Sequence, residues 1–121
     1  RLALDGTEDY DYVLLDTPPS LGLLTVNCLV AAESILIPLQ CEYYALEGLT
    51  QLTQTQSLVR QSLNPGLSLV GIVMTLFDPR TILSSQVVAE VRRRFGDEAF
   101  NTVIPRSVRR SDVGQHPGGE R

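Results

Sequence analysis

Residues 12–20 read Tyr-Val-Leu-Leu-Asp-Thr-Pro-Pro-Ser, and this stretch constrains the fold more than any other part of the chain. A short apolar run leads directly into one carboxylate, Asp16, and the two prolines that follow make a stiff turn. An apolar run of this length, bounded by turn residues, predicts a buried parallel strand over residues 12–15. Ligands of open α/β sheets bind beyond the carboxyl ends of the strands, so the sequence predicts that Asp16 lies at a binding edge.

The rest of the chain alternates between helix and strand patterns. Ser20 is predicted to cap the first helix. Helices are predicted over residues 21–32, 45–63 and 82–95, and further strands over residues 34–39, 67–75 and 102–104. Strands that alternate with helices of this length predict an α/β fold with a mainly parallel sheet, flanking helices and right-handed crossovers. The predicted order is β-α-β-α-β-α-β.

The length of 121 residues suits one domain, and a hydrophobic content of 43% is enough to build a core. No apolar run is long enough to cross a bilayer. Cys28 and Cys41 belong to no metal-binding or redox motif, so we expect a reduced, cytosolic chain with both thiols packed as small hydrophobic groups. The single histidine, His116, lies among Gln, Pro and Gly, and no catalytic or metal role is predicted for it.

Charge is distributed unevenly along the chain. Residues 1–78 carry nine acids and two arginines, whereas residues 79–111 carry seven arginines and three acids. Although the whole chain has a net charge of −4, this local basic character has two open interpretations: a surface that binds a polyanion, or a solvated arginine-rich helix surface. Residues 92–94, three consecutive arginines, have two open interpretations: contacts to a polyanion, or cations at a helix end that complement its dipole.

Asp16 also has two interpretations on the residues alone. Its carboxylate would hold Mg²⁺ through water, because Mg²⁺ keeps several waters and takes few protein ligands. Alternatively, it would accept hydrogen bonds from the backbone of its own turn. The usual partner of such an aspartate is a glycine-rich phosphate loop that ends in Gly-Lys-Ser/Thr. These residues contain no such loop, and all ten basic side chains are arginines.

Three separated segments resemble the ParA/Soj family of chromosome- and plasmid-partitioning ATPases, in the family's order. They read Asp-Thr-Pro-Pro-Ser-Leu-Gly-Leu-Leu-Thr at residues 16–25, Gln-Cys-Glu-Tyr-Tyr-Ala-Leu-Glu-Gly at residues 40–48 and Thr-Val-Ile-Pro-Arg-Ser-Val-Arg at residues 102–109. The resemblance implies a partial P-loop NTPase domain of the ParA/MinD type over residues 1–111. Residues 112–121 diverge from the family, and we expect a disordered tail there.

The resemblance implies a deviant Walker A ATPase in which ATP and Mg²⁺ join two subunits into a homodimer. In that family the dimer binds DNA without sequence preference, and a ParB-like partner stimulates hydrolysis. A cytoplasmic, nucleoid-associated protein with no membrane contact is therefore expected. Because the phosphate loop and the first switch have no counterpart in these residues, we expect a carboxyl-side part that is inactive alone.

The nucleotide-site roles are carried over position by position from the resemblance. Asp16 matches the catalytic Walker B aspartate, which supports Mg²⁺ through water. Thr17 and Pro18 match the second switch beside the nucleotide. The positions that match the loops around the adenine base are Thr75, Pro105 and Arg106.

Two further positions match family residues that contact DNA, and these are Arg80 and Arg109. A guanidinium suits this task because it presents a planar fork of donors to phosphate oxygens. Phosphate contacts supply affinity without sequence information, as a protein that binds anywhere on DNA requires.

Other protein classes on the same fold make different demands on the sequence. A MinD-like membrane-associated ATPase needs a basic amphipathic helix at its carboxyl end, which the Gly- and Pro-rich residues 114–119 do not predict. An iron–sulfur reductase of the nitrogenase iron-protein type needs cluster-ligating cysteines. A non-catalytic interaction fragment of the fold is compatible with the ParA/Soj resemblance.

Overall fold

In the computed structural model the described residues are 4–107, and they form a three-stranded parallel sheet with helices between the strands. The elements are α1 (Leu23–Ala31), β1 (Ser34–Gln40), α2 (Ala45–Ser62), β2 (Ser68–Phe77), α3 (Ile82–Phe95), a 3-10 helix (Gly96–Glu98) and β3 (Ala99–Pro105). β2 is the central strand, and β1 and β3 pair with it in parallel. The predicted class, a parallel sheet with flanking helices, is confirmed.

The predicted strand over residues 12–15 is wrong for the described structure. Residues 12–18 have no regular secondary structure, and Tyr12 and Leu14 are 87% and 91% exposed. Within residues 4–107, no backbone hydrogen bond joins this stretch to a strand. An extended run becomes a strand only when its N–H and C=O groups find partners. The described order is therefore α-β-α-β-α-β.

The predicted capping role of Ser20 is also wrong. α1 begins at Leu23 with Gly22 as its N-cap, and no side chain caps it. Ser20 instead contributes its carbonyl oxygen, which accepts a hydrogen bond from Thr25 Oγ1 at 2.5 Å. Leu21 and Gly22 separate Ser20 from the first helical turn, so its hydroxyl is not at the position from which a cap meets the free N–H groups.

The other helices begin and end close to the predicted residues, for local reasons. Thr81 caps α3, because its Oγ1 accepts a hydrogen bond from Ser84 N at 3.3 Å. α3 ends at Phe95, and the residue that follows, Gly96, has a φ of 54°, which favours glycine. After α2, Asn64 donates from Nδ2 to the carbonyl oxygens of Leu29 and Ala32 at 3.0 and 2.7 Å, so it holds the end of α1 against the end of α2.

The main core lies between one face of the sheet and the helices α2 and α3. Ile72 and Met74 of β2 are fully buried there, with Leu49 of α2 and Val91 of α3. Cys41 belongs to this cluster, and burial raises the pKa of its thiol. Cys41 thus packs as predicted, whereas Cys28 on α1 is only partly buried.

The opposite face of the sheet is largely uncovered by the described residues. Along β1 the buried Ile37 and Leu39 alternate with exposed positions, and Leu36 is 52% exposed. Val70 and Ile104 are also exposed apolar residues of the sheet. None of the helices in this part of the chain is both long and apolar enough to cross a bilayer.

Gly71 permits a close approach of β2 to the β3 region. A Cβ atom at this position would overlap the Phe100 ring and lie 2.9 Å from the Glu98 carbonyl oxygen. The register of β1 against β2 also shifts here, since Ile35 pairs with Leu69 and the next residue of β1 pairs with Gly71. The sheet therefore requires a residue without a side chain at position 71.

Candidate functional site

The three parallel strands end at one edge of the sheet, and this carboxyl edge brings several predicted site residues together. Gln40 at the end of β1 pairs with Thr75, and Phe77 at the end of β2 pairs with Pro105. Just beyond β3, Arg106 N donates to the Phe77 carbonyl oxygen at 2.8 Å. Thr75, Pro105 and Arg106 therefore share one edge, where ligands of open α/β sheets bind.

A β-bulge shapes this edge at Leu76. Between the pairs Met74–Val103 and Phe77–Pro105, β2 has one more residue than β3. Leu76 has a φ of 51°, a left-handed conformation that a leucine seldom adopts. Bulges and strained residues occur often at the rims of binding sites, where they redirect the neighbouring groups. No property of a leucine in an apolar run predicts this conformation, so the sequence contained no signal for it.

The turn after β2 holds Arg80 in an ion pair with Asp78. The Asp78 carboxylate accepts from Arg80 N at 3.0 Å, from Nε at 3.0 Å and from Nη2 at 3.1 Å. The pKa of Asp78 is lowered, mainly by the hydrogen bonds from the Arg80 side chain and then by the hydrogen bond from the Arg80 backbone N–H. The charge of Arg106 lowers it further. The Asp-x-Arg spacing at residues 78–80 is the sequence signal for such a pair.

The switch residues are not joined to this edge by any hydrogen bond or core contact among residues 4–107. Asp16, Thr17 and Pro18 lie in the exposed irregular stretch before α1. No group of three or more His, Cys, Asp or Glu side chains that could hold a metal occurs in the described part of the chain. Magnesium held through water by one carboxylate does not require such a group.

Arg109 and the predicted tail over residues 112–121 lie outside the described residues. The assignment of Arg109 to a DNA contact, and the division of the chain at residue 111, therefore stay predictions.

The three consecutive arginines of α3 make contacts with nearby groups of the protein itself. Arg93 and Arg94 both pair with Glu90, at 2.6 and 2.8 Å. Arg92 Nη2 donates to the carbonyl oxygen of Asn101 at 3.1 Å. Hydrogen bonds from Arg93 and then Arg94 lower the pKa of Glu90 to about 2. These contacts favour the interpretation of the three arginines as cations at a helix end over their interpretation as contacts to a polyanion.

Comparison with known proteins identifies related sequences over most of the chain. A family model described as an AAA domain matches residues 4–69. The chromosome partitioning protein ParA of Myxococcus xanthus is 59% identical over 104 residues, which are 86% of this chain and 37% of that protein. The chromosome-partitioning ATPase Soj of Thermus thermophilus is 54% identical over 106 residues, 88% of this chain and 43% of that protein. The chain thus spans less than half the length of these curated relatives.

A solved structure has the same fold. It is a cobyrinic acid a,c-diamide synthase from Mycobacterium smegmatis with a bound ATP analogue and magnesium. Its TM-score is 0.74 and its sequence identity is 44%, over 88% of this chain and 43% of that chain.

Proposed function

The chain belongs to the AAA domain family, with ParA and Soj partitioning proteins as its relatives, and from this membership we propose that it is part of a partitioning ATPase. In this proposal the complete protein binds ATP and Mg²⁺, dimerises with nucleotide between its subunits and binds DNA without sequence preference. A ParB-like protein is proposed as the partner that stimulates hydrolysis, and chromosomes or plasmids as the cargo. The protein would act in the cytoplasm, on the nucleoid.

The observation that carries the nucleotide proposal is the meeting of Thr75, Pro105 and Arg106 at the carboxyl edge of the sheet. The ParA/Soj resemblance assigns each of these residues to the loops around the adenine base. Open α/β sheets bind nucleotides at this edge. The relative from Mycobacterium smegmatis binds an ATP analogue and magnesium on the same fold, which supports the same ligands here.

We propose that Asp16 binds Mg²⁺ through the water molecules that coordinate the ion. Its side chain is exposed and has no hydrogen-bond partner in the described part of the chain, so its oxygens are available to the waters of a hydrated cation. A carboxylate fits this task because Mg²⁺ prefers oxygen ligands and keeps several waters. Bound magnesium would neutralise charge that develops on the phosphates during transfer. The adjacent Thr17 and Pro18 would then connect the nucleotide to α1.

The experiment that tests this proposal replaces the matching segment of Thermus thermophilus Soj with the corresponding residues of this chain. We expect the chimera to hydrolyse ATP, because the two segments share 54% of their residues. Asp16→Ala should then lower hydrolysis about 10- to 100-fold, the usual cost of removing a group that acts on a metal through its outer shell. Phosphate release, measured with and without DNA, provides the readout.

Asp9→Ala is the matched control for Asp16→Ala, because Asp9 is an exposed aspartate of the same amino-terminal stretch. Its removal should leave hydrolysis unchanged. If Asp16→Ala is as active as the control in the chimera, Asp16 has no role at the metal. This chain alone contains no lysine for a phosphate loop, so its own phosphate release should stay at background.

A further inference from the structure

Arg80 is the exposed arginine to which the ParA/Soj resemblance assigns a DNA contact, and one edge of its guanidinium is already occupied. Nε and Nη2 both donate to the carboxylate of Asp78, at 3.0 and 3.1 Å. This is the bidentate geometry in which guanidinium also binds phosphate. The donors of Nη1 make no hydrogen bond among the described residues.

The backbone of Asp78, which carries this carboxylate, is held in place by the turn. Asp78 N donates to Ser84 Oγ at 3.2 Å, and the Asp78 carbonyl oxygen accepts from Thr81 Oγ1 at 3.1 Å. Ser84 is buried, so this end of the network is fixed to the core. The side chain of Asp78 is 14% exposed and that of Arg80 is 73% exposed. The acid is therefore the anchored partner, and the arginine is the partner that extends into solvent.

The charge of a second cation acts on the same carboxylate. Arg106, at the end of β3, lowers the pKa of Asp78 through its charge, in addition to the larger effects of Arg80. The pair with Asp78 in turn raises the pKa of Arg80. Asp78 thus stays ionised at neutral pH, and its charge offsets one of the two arginines at this corner of the sheet.

We propose that Asp78 is a positioning residue that restrains Arg80 and limits its contact with the phosphates of DNA. The inference rests on the proposed DNA-binding role of Arg80. While Asp78 occupies the Nε/Nη2 edge, a phosphate meets only the remaining donors of Arg80, or it must displace the carboxylate. When a phosphate displaces the carboxylate, the stabilisation of the exposed Asp78–Arg80 ion pair is lost. One subunit alone therefore binds DNA weakly, and tight binding requires several arginine–phosphate contacts together.

The test measures binding of this chain to a labelled DNA duplex by fluorescence anisotropy, beginning at about 50 mM salt, where phosphate contacts are strong. Asp78→Asn keeps the shape of the side chain and an acceptor for Arg80 N, but it removes the charge. We expect this variant to bind DNA about two- to fivefold more tightly, as one exposed ion pair allows. The slope of log affinity against log salt should steepen by up to about one.

The decisive control repeats Asp78→Asn in an Arg80→Ala background, where the gain in affinity should vanish. Asp97→Asn removes the same charge from the 3-10 helix that follows α3, and it should reproduce neither the gain nor the steeper slope. A gain that persists without Arg80, or that Asp97→Asn equals, is a general charge effect and overturns the inference. No gain from Asp78→Asn, with a loss from Arg80→Ala, overturns the inference but leaves the DNA role of Arg80 intact.

The failure of the proposed function has a different signature. Two results would overturn both the DNA-binding role of Arg80 and its proposed restraint by Asp78. One is that Arg80→Ala binds DNA as tightly as the unmodified chain, and the other is that no variant binds DNA at low salt. Solvent exchange of the Arg80 Nε–H, measured by NMR without DNA, reports the pair itself. We expect slower exchange than at the exposed Arg60, and equal rates in Asp78→Asn. Equal rates in the unmodified chain would overturn the restraint whatever the binding data are.

Discussion

Two apolar runs of this chain are similar in composition but differ in structure. Residues 12–15, Tyr-Val-Leu-Leu, lie exposed in an irregular stretch, whereas residues 34–40, Ser-Ile-Leu-Ile-Pro-Leu-Gln, form strand β1. β1 pairs with β2 along its whole length, and its Ile37 and Leu39 are buried in the core. The first run has no such partner among residues 4–107. Apolar composition makes a strand possible, but a pairing edge decides whether it forms.

The largest expected contrast between the two regions comes from truncating one side chain in each. Ile72→Ala in β2 should lower the free energy of unfolding by about 2–5 kcal/mol, because it leaves a cavity at a fully buried position. Leu14→Ala, in the exposed run, should change it by no more than about 0.5 kcal/mol. Urea denaturation of both variants measures this contrast. Equal losses would mean that the first run packs as tightly as the sheet does.

A smaller effect is expected where the sheet depends on close backbone contact. Gly71→Ala should destabilise the chain by about 1–3 kcal/mol, since the new methyl group would overlap the Phe100 ring. Gly48→Ala in α2 is the matched control, because a Cβ atom there meets no heavy atom within 4 Å. The control should gain about 0.5–1 kcal/mol from helix propensity. Thermal unfolding of the two variants measures both changes in stability. If Gly71→Ala left the stability unchanged, the close contact at position 71 would be contradicted.

The smallest effect concerns the ion pairs of Glu90 with Arg93 and Arg94. The folded pKa of Glu90 is about 2, below its ordinary value of 4.5, so the pairs stabilise the folded state above pH 4.5. This stability is lost as the pH falls from 4.5 towards 2. Glu90→Gln should therefore be less stable than the unmodified chain near neutral pH, and the gap should close in acid.

Urea midpoints across this pH range measure the gap for Glu90→Gln. The matched control is Glu47→Gln on α2, which removes an acid that makes no ion pair within residues 4–107. A gap of constant size down to pH 2 would show that the arginines do not stabilise the charged form of Glu90.

The helices and three of the four predicted strands follow from patterns that are local in the sequence. α3 was predicted at its observed bounds from apolar residues that recur at helical spacing, and the flanking Thr81 and Gly96 agree with those bounds. The bounds of β3 were harder to predict, since Ala99–Pro105 begins before and ends after the predicted residues 102–104. The additional residues of β3 are held by pairing with β2, which no local pattern contains.

The candidate site divides in the same way. Thr75, Pro105 and Arg106 were predicted from motifs, and the parallel sheet brings them to one edge. The left-handed Leu76 and the anchored Asp78–Arg80 pair were not predicted, because they depend on the bulge of β2 and on the buried Ser84. The assignments of Asp16 and Arg109 stay predictions.

The sequence by itself determined the α/β class, the positions of the long helices and the family, because periodicity, caps and motifs are properties of neighbouring residues. Only the tertiary structure decided which apolar run became a strand and which acid–arginine pair is anchored to the core. Both outcomes depend on groups that come from other parts of the fold: the edge of β2 for β1, and the core-bound Ser84 for Asp78. Hydrogen-bond partners and burial are supplied by the assembled chain, so no local stretch of sequence specifies them.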